Sequence, residues 1–142
     1  MQTNKTLADF FSEHASSSKF IYEIETGEKK THEAILDNAR QLSTNILIKR
    51  GYIVTVILPN SIEYIECFLA AMLGGWVFNP LPYFIQKQEL EKIFTYVESN
   101  IIITNKKEIF SHFSKKYKIL TPEQILSESG KFTKKEINLQ QP

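Results

Sequence analysis

Few side chains in this sequence have the type and spacing that chemistry requires. Cys67 is the only cysteine, which leaves no intramolecular disulfide and no cysteine-built zinc site. It falls in the most apolar stretch of the chain, with no histidine near it in sequence, and reads as a small hydrophobe rather than a nucleophile. His14, His32 and His112 lie in separate segments, and none stands at metal-ligand spacing from another histidine, a cysteine or a carboxylate. Glu63 and Glu66 share a helix face, yet both fall in the first turns, where carboxylates simply favour the positive end of the helix dipole. The glycines, at 27, 51, 74, 75 and 130, compose neither a spaced-glycine dinucleotide fingerprint nor a phosphate-cradling loop. On these grounds no catalytic, cofactor-binding or metal-binding residue is assigned.

The composition narrows the classes further. At 142 residues, 42% hydrophobic and 12% aromatic, the chain has the means to build one packed core. A net charge of +1, with only Arg40 and Arg50 as arginines among 17 basic residues, makes nucleic acid a poor candidate partner. Residues 106–135 hold eight lysines against three glutamates, a bias that solvated helix faces explain as well as a binding patch does. Residues 67–86 are twenty consecutive uncharged positions, the length of a membrane span. Gly74-Gly75 and then Asn79-Pro80-Leu81-Pro82 break any single helix there, so the stretch reads as a buried helix, a turn and a buried strand. Met1–Phe11 carries Lys5 and Asp9 and no apolar run of signal-peptide length, which together with the lone cysteine points to the cytoplasm.

The elements that must position any site alternate between helical and strand periods. A short helix is expected over Leu7–Ala15, an exposed strand over Lys19–Glu25 and a turn at Thr26-Gly27-Glu28. Thr31 caps a long helix carried to Lys49 by Ala34, Ile35, Leu42, Ile46 and Leu47, with Gly51 closing it. Ile53–Leu58 is a β-branched run typical of a central strand, ended by Pro59. Asn60 then caps a helix with Ile65, Phe68, Leu69 and Met72 inside, stopped by Gly74-Gly75 before a strand at Trp76–Phe78 that places Trp76 in the core. Helices at Glu89–Glu98, Asn105–Phe113 and Thr121–Leu126 surround strands at Ile101–Ile103 and Lys118–Leu120. Right-handed crossovers between these strands give an α/β fold, a doubly wound and mainly parallel sheet flanked by helices. Residues 1–130 form the domain, and residues 131–142 read as a tail or cut linker.

From Phe20 to Thr104 the sequence resembles the N-terminal subdomain of the adenylate-forming (AMP-binding) enzymes, which include acyl- and aryl-CoA synthetases and peptide-synthetase adenylation domains. Thr31-His32-Glu33-Ala34-Ile35-Leu36-Asp37-Asn38 is similar to that family's "tyr-thr-tyr-x-glu-leu" helix start. Val54-Thr55-Val56-Ile57-Leu58-Pro59-Asn60-Ser61 is similar to its "val-ala-ile-leu-leu-pro-asn-ser" strand and cap. Leu73-Gly74-Gly75-Trp76-Val77-Phe78-Asn79-Pro80-Leu81 resembles its "leu-lys-ala-gly-ala-val-tyr-val-pro-leu" motif, and Gln88-Glu89-Leu90 its following helix. Two departures stand out: Gly74-Gly75 replaces ala-gly, and Trp76 is bulky for its place.

The resemblance implies an ATP-dependent carboxylate ligase, with ATP, magnesium and an acceptor thiol such as CoA serving the intact enzyme and no cofactor held by this stretch. The family's phosphate loop, ribose-binding aspartate, hinge and catalytic lysine have no counterpart up to Pro142, about where that loop would begin, so the chain is expected to be the front of such an enzyme. Its partners would be the rest of that enzyme and the carboxylic acid substrate. An uncovered apolar surface near Trp76–Ile85 would favour self-association. A stand-alone, non-catalytic α/β binding domain is the other reading.

Overall fold

The computed structural model describes residues 6–16 and 18–129. The expected tail at residues 131–142 lies outside them. The chain opens with α1 (Leu7–His14), held by a capping box in which Thr6 Oγ1 accepts from Asp9 N–H and Asp9 accepts from Thr6 N–H. A hairpin of β1 (Phe20–Tyr22) and β2 (Lys29–Thr31) follows, turning through Gly27 at φ 73°. β2, only three residues and mostly polar, is invisible to apolar periodicity.

Thr31 accepts from Ala34 N–H and starts α2 (His32–Ser43), as the sequence predicts. The helix ends well before Lys49. Asn45 is buried, its amide donates to the Ile125 carbonyl and its Oδ1 accepts from Leu47 N–H, a local turn that competes with the helix. Ile46 is thereby turned out to solvent and Ile48 into the core.

The body of the fold is a four-stranded sheet in the order β4-β3-β5-β6, every pair parallel. It comprises β3 (Ile53–Ile57), β4 (Val77–Pro80), β5 (Ile101–Thr104) and β6 (Lys118–Leu120). Between them run α3 (Ile62–Gly74), α4 (Lys87–Tyr96) and α5 (Lys107–Phe113), with α6 (Pro122–Ser129) after β6. Side chains alternate across the two inner strands. Val54, Val56, Ile101 and Ile103 meet α2, α3 and α6, while Ile57 and Ile102 meet α4 and α5. Helices on both faces explain why β3 and β5 read as continuous β-branched runs. Thr121 and Gln124 cap α6 reciprocally. Pro80 sits on the edge strand, where a missing N–H breaks no ladder.

Two expectations about α3 fail. Ser61 rather than Asn60 is the cap, and Phe68 is not inside: it stands 39% exposed. The helix uses two apolar faces, Cys67, Ala70 and Ala71 toward the sheet, and Ile62 and Leu69 toward α2. The third stripe, with Phe68 on it, reaches past the sheet and touches Phe78 on β4 edge-on, ring centroids 5.4 Å apart. Ile65 and Met72 are partly buried beside α2.

Trp76 is in the core, 7% exposed. It also accounts for the first of the two glycines before it, because a Cβ on Gly74 would lie 2.6 Å from Trp76 Nε1. Gly75 adopts φ 69° as the left-handed cap of α3. The two departures from the resembling motif are therefore one coupled change: the large ring fills the space that the missing side chain leaves.

Candidate functional site

An open parallel sheet presents ligands at the carboxyl ends of its strands, where successive connections leave in opposite directions. Here β3 is that strand, with β4 on one side and β5 on the other. A crevice of about 670 Å³ lies there, lined by Leu58, Pro59, Asn60, Tyr64, Tyr83 and Phe84 among others. Its walls are mostly apolar. Behind it, buried Thr104 Oγ1 donates to the Ile57 carbonyl and accepts from Lys106 N–H, which sets the exit of β5. Lys106 Nζ then lies 4.7 Å from the centroid of the Tyr83 ring, and Tyr83 OH donates to Asn105 Oδ1 at 3.2 Å. No sequence signal singles out Tyr83, Asn105 and Lys106, since two of them come from the loop after β5 and the third from the loop after β4.

Beside the crevice, the hairpin is latched onto α3 by two carboxylates. Glu23 Oε1 accepts from Ile62 N–H at 3.0 Å. Glu66, 1% exposed, lies 3.2 Å from Lys30 Nζ of β2. The reading of Glu63 and Glu66 as carboxylates that simply favour the helix dipole suffices for exposed Glu63 but not for buried Glu66, whose partner lies 36 residues away on the chain. Burial pushes the Glu66 carboxyl above the ordinary range, against the opposing pull of Lys30 and a hydrogen bond from Asn38. Glu63 is also raised, first by burial and then by the Glu66 charge.

The remaining candidates stay apart. His14 donates through Nδ1 to the Phe10 carbonyl, His32 sits at the start of α2 near Phe11, and His112 Nε2 pairs with Glu91 at 2.9 Å across α4 and α5. Among the described residues no three histidine, cysteine or carboxylate side chains gather to hold a metal ion. Burial, with the Glu66 and Glu63 charges, pushes the Cys67 thiol up to about 12, so it stays an inert thiol at neutral pH. No helix among the described residues is long and apolar enough to cross a membrane.

The described residues thus form a doubly wound α/β subdomain with a mostly apolar crevice at the carboxyl end of its sheet. The sequence matches the AMP-binding enzyme family over residues 10–141, and the chain belongs to that family. No curated protein sequence matches it. Among solved structures, the Klebsiella oxytoca NpsA N-terminal subdomain in complex with 3-hydroxyanthranilyl-AMSN superposes with a TM-score of 0.70 at 17% identity, over 91% of this chain and 32% of that one. VinN with 3-methylaspartate gives 0.75 at 16% identity, over 93% and 37%. Mycobacterium tuberculosis fatty acyl CoA synthetase gives 0.70 at 16%, over 87% and 27%. At these identities the likeness establishes the fold. The chain spans about a quarter to a third of the length of these proteins.

The N-terminus of α3, beside the crevice, does not fit a phosphate. A helix N-terminus collects an anion through free N–H groups. At α3, Ser61 Oγ already accepts from Tyr64 N–H and the Glu23 carboxylate from Ile62 N–H. A fixed negative charge there repels phosphate.

Proposed function

We propose that this chain is the leading structural subdomain of an ATP-dependent carboxylate ligase, one that joins an acid to the α-phosphate of ATP and passes the acyl group to a thiol such as CoA. In this reading the chain's own residues do not capture ATP, magnesium or the thiol. Its sheet is the scaffold against which the acid pocket and the nucleotide half pack, in the cytoplasm. The observation that carries the reading is the helix N-terminus closed by Glu23 in a chain of the AMP-binding family. NpsA in complex with 3-hydroxyanthranilyl-AMSN and VinN in complex with 3-methylaspartate are consistent with acids as the substrate class. Against a self-contained binding domain stand Val77, 52% exposed on the edge strand β4, and Phe84, 84% exposed in the loop after it.

Calorimetric titration of the chain with Mg-ATP in excess phosphate, which fills any plain phosphate site, is expected to show no heat of binding, and a saturable micromolar site would overturn the reading. The reading frame beyond Pro142 is expected to continue into a glycine-rich phosphate loop. A stop codon there would favour the stand-alone domain.

A further inference from the structure

At the opposite end of the sheet, away from the crevice, a second cavity of about 340 Å³ opens between the end of α2 and the α3–β4 turn. Its walls carry Arg40, Lys49 and Arg50, which include both arginines of the chain. Cations near a helix carboxyl end ordinarily serve its unsatisfied carbonyls. Here protein donors already occupy several of them. Ser43 Oγ donates to the Arg40 carbonyl at 2.7 Å, Thr44 Oγ1 to Gln41 at 2.9 Å, Asn45 N–H to Leu42 at 3.2 Å and Trp76 N–H to Ala71 at 2.9 Å.

Nor are the cations absorbed by carboxylates. Arg40 has only exposed Asp37, at 3.6 Å, and among the described residues Lys49 and Arg50 have no carboxylate partner. Arg50 is exposed, and its side chain runs beside Gly75, where a Cβ would come within 2.8 Å of Cγ and 3.2 Å of Nη1. Beneath the wall formed by Gly74 lies Trp76 Nε1, a buried donor with no acceptor among the described residues. Three cations around one cavity, with exposed Asp37 as their one carboxylate partner among the described residues, leave it without a balancing counter-charge.

We propose that this cavity is an oxyanion site for a phosphate group, whether free phosphate or the end of a phosphomonoester. Arg40 and Arg50 supply forked N–H donors that match phosphate oxygens, and Lys49 adds a point charge. Three cations suit a dianion better than a single carboxylate.

Trp76 is the sole tryptophan, so a ¹⁵N-labelled chain gives one indole N–H resonance to follow. Sodium phosphate and phenyl phosphate are titrated separately, with sodium chloride at matched ionic strength as the control. The site predicts a saturable shift of that resonance by phosphate or its ester and none by chloride. Tighter binding of phenyl phosphate assigns the ester, and tighter binding of inorganic phosphate the free ion. Arg50→Gln should weaken binding about tenfold, the worth of one charged hydrogen bond. Arg40→Gln, placed on α2 away from the turn, should act in the same direction if Arg50→Gln disturbs the fold. No saturable shift, an equal shift with chloride, or unchanged affinity in both variants overturns the proposal.

Discussion

One face of the sheet and one of its edges are built from similar residues with opposite outcomes. On the face, α4 and α5 close over Ile57 and Ile102, with Leu90, Phe94, Ile109 and Phe113 completing a buried cluster. At the β4 edge Phe68 packs on Phe78 over one face while Val77 faces the other; these residues are equally apolar, yet Phe68 and Val77 stay substantially in water. The difference is what lies beyond. The chain's own helices finish the interior, whereas the edge strand has no neighbour on its outer side among the described residues. An apolar edge of this kind is ordinarily covered by more protein.

The widest separation between the two regions is in stability. Ile102→Ala should cost about 2–5 kcal/mol, the range for a fully buried aliphatic, while Phe68→Ala should cost about 1 kcal/mol because water already reaches its ring. Urea midpoints measure both, and equal losses would mean that the edge is as closed as the face. The latch between hairpin and α3 comes next. Removing Glu66 leaves Lys30 without its partner and a polar void among buried groups, for about 2–3 kcal/mol in Glu66→Ala. A loss comparable to Phe68→Ala would show the ion pair to be open to solvent.

A smaller effect should appear on changing pH. The Glu66 and Glu63 carboxyls are raised, so above the unfolded value of about 4.3 the native state binds more protons than the unfolded one. Their contribution is therefore fully present below that value and is lost as pH rises through the raised native values. Denaturation from about pH 4 to pH 7 should show a shallower decline for Glu66→Gln than for the parent chain. Parallel curves would place the titrating group elsewhere.

The fold is legible in the sequence where one physical cause dominates locally. The β-branched run at Ile53–Ile57, the cap at Thr31 and the Thr121–Gln124 box each announce themselves within a few residues. Resemblance to the adenylate-forming enzymes rests on the same local motifs, and the match over residues 10–141 agrees with it. Distant partnerships are not legible. The end of α2 depends on the Ile125 carbonyl, 80 residues beyond Asn45, while Leu42 and Ile46 keep helical spacing past it. The burial of Glu66 depends on Lys30, and the exposure of Phe68 on the sheet ending at β4. Neither the crevice at Tyr83 nor the cluster of Arg40, Lys49 and Arg50 has a motif, because each is assembled from separate loops.

If the β4 edge is a surface left for further protein, sedimentation velocity over a range of concentrations tests it most directly. The parent chain should sediment faster as concentration rises, and Val77→Lys, which charges the exposed edge without touching the core, should abolish that dependence. A parent chain that stays monomeric at every concentration would contradict an uncovered edge and favour a self-contained domain.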